Sequence, residues 1–303
     1  MKMLKKSGYF RKLRRESLRS TIVVYTFLLL ITLLMILPFL HELAKSFSYP
    51  TEVEAGRVSL LPKRFTFGNY YYFWRKQSEQ LGRAFLNTIY ITVVGTAWTV
   101  FNTALLAFPL SRSKKEFRLG VPILMIVIFC FVFQRPVIPY FLTVKAYGLM
   151  DTRAALILSH TIVPFYLLLV LTFFRGLPED LFDACRIDGG SDFHLFWHVA
   201  LPLSKASLAS VAIFSGVTMW NLFFHPMLFI RSSDLMPLQP IVRSIMRGTG
   251  DVLKGNLLDN DPFRETESIK SALIMLTIIP VAVVYPFLQK YFTKGTMVGA
   301  IKS

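Results

Sequence analysis

Six long apolar runs, at residues 21–40, 84–110, 119–143, 154–174, 206–230 and 271–289, constrain this chain more than any motif in it. Arg135 is the one charged side chain they contain. About 20 apolar residues in helical conformation suffice to cross the hydrocarbon core of a bilayer. The runs therefore predict an all-α membrane protein with six transmembrane helices. A soluble domain of the same make-up, 53% hydrophobic with 28 Phe, would not gather these residues into runs of this length.

Charge placement sets the expected topology. In a soluble chain a net charge of +16 would suggest nucleic acid as a partner. Here Lys2, Lys5, Lys6, Arg11, Lys12, Arg14, Arg15 and Arg19 precede the first run against Glu16 alone. Cationic flanks favour the cytoplasmic side, so the implied partner is membrane lipid and not nucleic acid. The short core and small-residue cleavage site of a secretory signal are not evident, and the first run is read as a retained span. Six crossings bring both termini to the cytoplasm, in keeping with Lys290, Lys294 and Lys302. Arg112, Lys114, Lys115 and Arg118 mark a further cytoplasmic loop. Counting places residues 41–83 outside, against their own basic content. Within them Tyr70, Tyr71, Tyr72, Phe73 and Trp74 read as a headgroup anchor or as a surface that meets substrate. The chain thus divides into a basic segment at 1–20, a first helix with its outer loop at 21–83, a five-helix core at 84–290 and a cytoplasmic tail at 291–303.

Two runs carry internal polarity. The third is interrupted after Gln134 by Arg135, Pro136 and Pro139, and proline removes a backbone donor and clashes with the preceding turn. Either the span ends there with Arg135 reaching toward the interface, or the helix breaks where freed backbone groups line a cavity. Gln134 and Tyr140 flank this break. In the fifth run Thr218, Asn221 and His225 fall at i, i+3 and i+7, which places them on one face of a continuous helix. That face serves helix-to-helix hydrogen bonding or a solute path. His160, in the fourth run, reads as a satisfied structural histidine or a ligand contact.

Between the fourth and fifth runs, residues 178–202 form a polar island. Pro178 suits a first helical position, and Glu179, Asp180 and Asp183 complement the positive end of a helix dipole. Gly189-Gly190 ends that helix through a positive φ, and Ser191 caps the next. Phe193, Phe196, Trp197, Ala200 and Leu201 then recur at helical spacing as one apolar stripe. Two short helices are expected to meet at a glycine elbow.

This island, with Asp183-Ala184-Cys185, then Gly189, then Leu201-Pro202, resembles the EAA loop of binding-protein-dependent ABC importer permeases. Asp stands for the usual Glu and Cys for the second Ala. The likeness extends through L-L-P-K-R-F-T at 60–66, A-F-P-L-S-R at 107–112, G-L-M-D-T-R-A-A-L-I-L at 148–158 and Y-P-F-L-Q-K-Y-F-T-K-G-T-M-V-G at 285–299. These segments are similar to carbohydrate permeases, most of all to the maltose-permease-like second subunit. The resemblance implies a type I importer fold whose cytoplasmic coupling helices dock on a separate ATPase. It implies ATPase contacts at Glu179, Asp183, Ala184, Cys185, Gly189, Phe193, Trp197, Leu201 and Pro202. It further implies a second permease subunit, a dimeric cytoplasmic ATPase that uses ATP and Mg, and an extracytoplasmic solute-binding protein, all at a bacterial inner membrane. The tail is expected to reach between the ATPases. The solute path is assigned to Thr218, Trp220, Asn221, His225, Gln134 and Tyr140, with Trp220 as a sugar-stacking ring.

The residues themselves supply no catalytic centre. No G-x-x-x-x-G-K-[ST] is present to cradle a nucleotide, so this chain is not expected to hydrolyse ATP or bind a cofactor. His194 and His198 share a helical face but have no third ligand nearby, so no metal is assigned. Cys130 and Cys185 suggest neither a disulfide framework nor a metal cluster. The alternative function is a secondary transporter or channel without an ATPase, which would need ion-coupling carboxylates that the six runs lack. An intramembrane enzyme would need a nucleophile motif, and a scaffold would not need the elbow.

Overall fold

The computed structural model describes residues 4–76, 78–133, 136–247 and 267–300, with side chains between residues 20 and 286 apart from 73, 74, 76 and 78. All regular elements among them are helical. They are α1 (Leu4–Ser46), α2 (Pro50–Glu54), α3 (Gly68–Lys76), α4 (Ser78–Ser111), α5 (Gly120–Val132), α6 (Val137–Ala146) and α7 (Arg153–Leu158). Next come α8 (Pro164–Arg175), α9 (Glu179–Ile187), α10 (Asp192–Leu203), α11 (Lys205–Trp220), α12 (Phe224–Phe229), α13 (Leu238–Met246) and α14 (Glu267–Ala300). The chain forms two compact units, one of residues 1–74 and 256–275, the other of 75–255 and 276–303.

In the first unit the Ser20–Ser46 stretch of α1 is apolar enough to span and presents its large side chains outward, as a lipid-facing helix does. A helix end leaves carbonyls without partners. Here the Asn69 amide donates to the carbonyls of Ser46 and Ser48, at 2.8 and 2.9 Å, and the Ser48 hydroxyl to that of Ala44 at 2.7 Å. Tyr70 donates its hydroxyl to Ser46 Oγ and packs its ring on Phe47, while Tyr72 is buried. Tyr70 thus holds the turn after α1. The side chains of Phe73 and Trp74 lie outside the described residues.

The second unit is built on α4, which packs along α8 and α11. Among the described residues three helices are singly long and apolar enough to cross a membrane: the stretches Ser20–Ser46, Glu79–Ser111 and Glu267–Pro286. The third and fourth apolar runs fold as pairs of shorter helices, α5 with α6 and α7 with α8. Proline explains both breaks: Pro136 precedes α6, and Pro164 opens α8 with Val163 held extended before it. One backbone carbonyl and one side chain at the second break find partners on α4. Thr99 donates to the His160 carbonyl at 2.8 Å, and the Trp98 indole to the Thr161 hydroxyl at 2.9 Å.

The fifth run departs from expectation. Its helix α11 stops at Trp220, the chain turns through Asn221 to Phe223, and α12 follows. Thr218 and Asn221 keep their i, i+3 relation at the end of α11, but His225 lies beyond the break and does not continue their face. Pro226 accounts for the break, since it has no N–H to offer the Leu222 carbonyl and disfavours a continuous helix before it.

Candidate functional site

Residues 178–202 fold as two helices about a glycine elbow. Pro178 precedes α9 with φ −60° and ψ 129°, one position earlier than its sequence suggests. Gly189 has φ +79° and open space where a Cβ would stand, so its requirement is conformational. At Gly190 the requirement is steric, because a Cβ would lie 2.7 Å from Cys185 Sγ and 2.8 Å from the Cys185 carbonyl. Ser191 Oγ accepts the His194 N–H at 3.3 Å and caps α10 as expected. That helix widens to a π-helix over Leu195–Ala200 and meets α11 at 77°.

The expected apolar stripe divides between two environments. Phe196 is 2% exposed, its ring 5.4 Å from Phe108, and Ala200 is buried beside it in the core. Phe193 and Trp197 are 69% and 49% exposed and stack with centroids 6.2 Å apart. Ile187, at 86%, is the most open large apolar side chain of the loop. Glu179, Asp183, Ala184, Gly189 and Pro202 are exposed, and Cys185 and Leu201 half-buried. His194 and His198 stack at 4.0 Å.

Two arginines fasten this loop. Phe182, the buried residue of α9, lies with its ring 3.9 Å below the Arg112 guanidinium, which also covers Phe108 at 5.0 Å. Such contacts contribute about 0.5–2 kcal/mol each, most where water is excluded. Burial pulls the Arg112 guanidinium below its ordinary pKa, and Glu179 and Glu116 oppose the pull. Arg186 pairs with Glu116 and, at 3.2 Å, with Asp183. Burial raises the Glu116 carboxyl, but the Ser113 N–H and hydroxyl, both at 3.1 Å, and Arg186 outweigh it and hold it low. Between these groups a cleft of about 550 Å³ opens, lined by Arg112, Arg186, Asp192, Phe193 and Phe196.

A family model described as the binding-protein-dependent transport system inner membrane component matches residues 110–298, which include this loop. The chain belongs to that family. It is 39% identical to Protein LplC of Bacillus subtilis over 268 residues, covering 88% of this chain and 89% of that one. Over 283 residues it is 35% identical to the polygalacturonan/rhamnogalacturonan transport system permease protein YtcP of the same organism, covering 92% and 97%. Among solved structures it matches a bacterial ABC transporter involved in the import of the acidic polysaccharide alginate. That match has a TM-score of 0.83 and 28% identity, covering 92% of this chain and 98% of that one. The protein is thus a multi-pass inner membrane component of a transporter.

The candidate path residues of this permease are scattered by the break after α11. His225 packs with Tyr140 at 5.6 Å and with the buried His160 at 4.9 Å. His160 Nδ1 lies 3.1 Å from the Leu156 carbonyl oxygen, as a structural histidine would. Thr218 meets the Tyr166 hydroxyl at 3.2 Å. Asn221 is exposed beside a cavity of about 450 Å³, 3.4 Å from Gln239. Trp220 is 8% exposed, donates its indole N–H to the Thr277 carbonyl at 3.2 Å, and lines an apolar cavity of about 350 Å³ with Phe85 and Tyr285. Gln134 lies outside the described residues. Sequence reasoning missed the roles of Arg112, Glu116, Phe182 and Arg186, since pairing across some seventy positions leaves no periodic signal; the single cue was a cluster of charges at the end of a span.

Proposed function

We propose that this permease is one of two different transmembrane subunits of an ATP-driven importer. It moves a carbohydrate, an oligosaccharide or polysaccharide fragment, into the cytoplasm by alternating access. The observation that carries this reading is the Gly189 elbow, with its exposed Ile187, Phe193 and Trp197, in a member of this family. A dimeric cytoplasmic ATPase, holding ATP and Mg, would take up Glu179, Asp183, Ala184, Cys185, Gly189, Phe193, Trp197, Leu201 and Pro202. An extracytoplasmic binding protein would deliver the solute. The likeness to YtcP, a polygalacturonan/rhamnogalacturonan permease, and to the alginate transporter supports a carbohydrate.

In this reading the chain crosses six times, with α5/α6, α7/α8 and α11/α12 as broken crossings and both termini in the cytoplasm. Closure of the ATPases pushes the elbow, and α9 and α10 pass the push to the helices. The solute moves past Tyr140, His225, Thr218 and Asn221. The test is reconstitution with the second permease, ATPase and binding protein in proteoliposomes. ATP hydrolysis is expected to rise with binding protein plus one of trigalacturonate, an alginate trisaccharide or maltotriose. Failure to hold an ATPase, or sugar entry that does not need ATP, would overturn the reading, the second result in favour of a channel or secondary transporter.

A further inference from the structure

Arg112 is a charge in a place where charge is costly. It stands one residue beyond α4, and its side chain is 8% exposed. Nε and Nη2 share the Ser111 hydroxyl, each at 3.3 Å. Nη1 has no hydrogen-bond acceptor among the described residues and lies 3.8 Å from Glu179 Oε1. Burying a cation costs free energy that only close pairing and full hydrogen bonding repay, and the facing carboxylate of Glu179 is 61% exposed. A methionine between Phe108 and Phe182 would fill the same room without desolvating a cation, so stability alone gives no reason for a guanidinium. What the guanidinium adds is a link, because it stacks on one ring from α4 and one from α9 and faces a carboxylate in the first turn of α9.

Chain connectivity directs attention to α8 and α11, the helices on either side of the loop. The arginine instead ties α9 to α4, which itself packs along both of those helices. A shift of α9 by about 1 Å would bring Glu179 into hydrogen-bond range of Nη1.

We propose that Arg112 is a positioning residue for energy coupling. It passes displacement of α9 through the Phe182–Arg112–Phe108 stack to the end of α4, with Glu179 closing onto Nη1 as α9 seats. The proposal rests on the importer reading above. It gives the cytoplasmic push a path into the helix on which the second unit is built.

The test uses the whole reconstituted importer with trigalacturonate as the probe sugar and an alginate trisaccharide in a parallel arm. The measured quantity is the ratio of sugar-stimulated to basal ATP hydrolysis. Arg112→Met is expected to retain the ATPase on purification and to lower the ratio about fivefold or more. Arg112→Lys keeps the charge but not the stacking plane, and is expected to fall between it and wild type. In complexes matched for bound ATPase, Glu179→Gln lowers the ratio, and the double variant is no worse than Arg112→Met, because both act on coupling through one link. Additive losses overturn the proposal, as does a normal ratio in Arg112→Met. So does a loss that tracks melting temperature and assembly across both Arg112 variants, since that marks a merely structural role. A wild-type complex that none of trigalacturonate, the alginate trisaccharide and maltotriose stimulates overturns the importer reading and this inference with it.

Discussion

Ser232 donates both its backbone N–H, at 2.9 Å, and its hydroxyl to the Asp151 carboxylate, 81 positions away. The Arg231 N–H reaches the same carboxylate at 2.9 Å, and the Asp151 N–H donates to the Phe229 carbonyl at 2.8 Å. Asp151 adopts φ +57°, a left-handed backbone that Asp tolerates better than most residues. One side chain thus clamps the turn after α6 to the strand-like segment that leaves α12.

This clamp has a defined pH dependence. The Ser232 hydroxyl, the Ser232 N–H and the Arg231 N–H hold the Asp151 carboxyl below its ordinary 3.8. A group whose folded pKa is lowered contributes stability that is complete above the unfolded value and lost as pH falls through the folded one. Melting curves of wild type and Asp151→Ala are therefore expected to differ by a constant gap above pH 3.8 and by a shrinking one below it. Asp151→Asn, which tolerates the same backbone, should lie between. Coincident curves at neutral pH would mean that the clamp contributes nothing.

Gly189 and Gly190 should respond differently to the same change. At Gly189 the strain is in the backbone alone, so Gly189→Asn is expected to cost little and Gly189→Val about 1–2 kcal/mol or more. At Gly190 even Ala collides with Cys185, and overpacking of this kind costs about 1–3 kcal/mol. The accompanying substitution Cys185→Ala removes the sulfur from the collision and should recover part of the Gly190→Ala loss. Chemical denaturation of the purified permease measures each cost, and sugar-stimulated ATP hydrolysis should fall in the same order.

The elbow was legible from sequence because its signals are local: a cap, a glycine pair and a helical stripe within 25 positions of each other. Apolar run length likewise located the three long apolar helical stretches, Ser20–Ser46, Glu79–Ser111 and Glu267–Pro286, and the prolines located two of the breaks. What escaped was set by tertiary contacts. The stop at Trp220 comes six positions before Pro226, and in sequence nothing at Asn221 marks it, since Asn102 makes the same back-bond inside the uninterrupted α4. Phe196 and Trp197 are neighbours in one stripe, yet the ring cluster of Phe108, Phe174 and Phe182 claims Phe196 and leaves Trp197 outside.

That division gives a clean contrast. Phe196→Ala removes a side chain that is 2% exposed and is expected to destabilise the permease by about 3–5 kcal/mol. Phe193→Ala with Trp197→Ala removes exposed rings and should leave its melting temperature nearly unchanged while weakening ATPase retention in a pull-down. Full retention by the double variant would remove these rings from the docking surface.

Trp220 and Asn221 are adjacent, yet their surroundings give them different work. The Trp220 indole is committed to the Thr277 carbonyl, and its ring meets Phe85 edge-on at 5.9 Å, so it braces α11 against α4 and α14. Asn221 closes α11 and opens on the cavity shared with Gln239. Trp220→Phe is therefore expected to cost about 1 kcal/mol of stability through the lost hydrogen bond and to leave the KM of sugar uptake unchanged. Asn221→Leu should leave stability nearly intact and raise KM about fivefold to tenfold, the effect of one hydrogen bond to a hydroxyl-rich solute. Transport assays on the two variants decide between them. A raised KM in Trp220→Phe together with normal kinetics in Asn221→Leu would return the sugar contact to the indole and require its ring to leave Thr277 during the cycle.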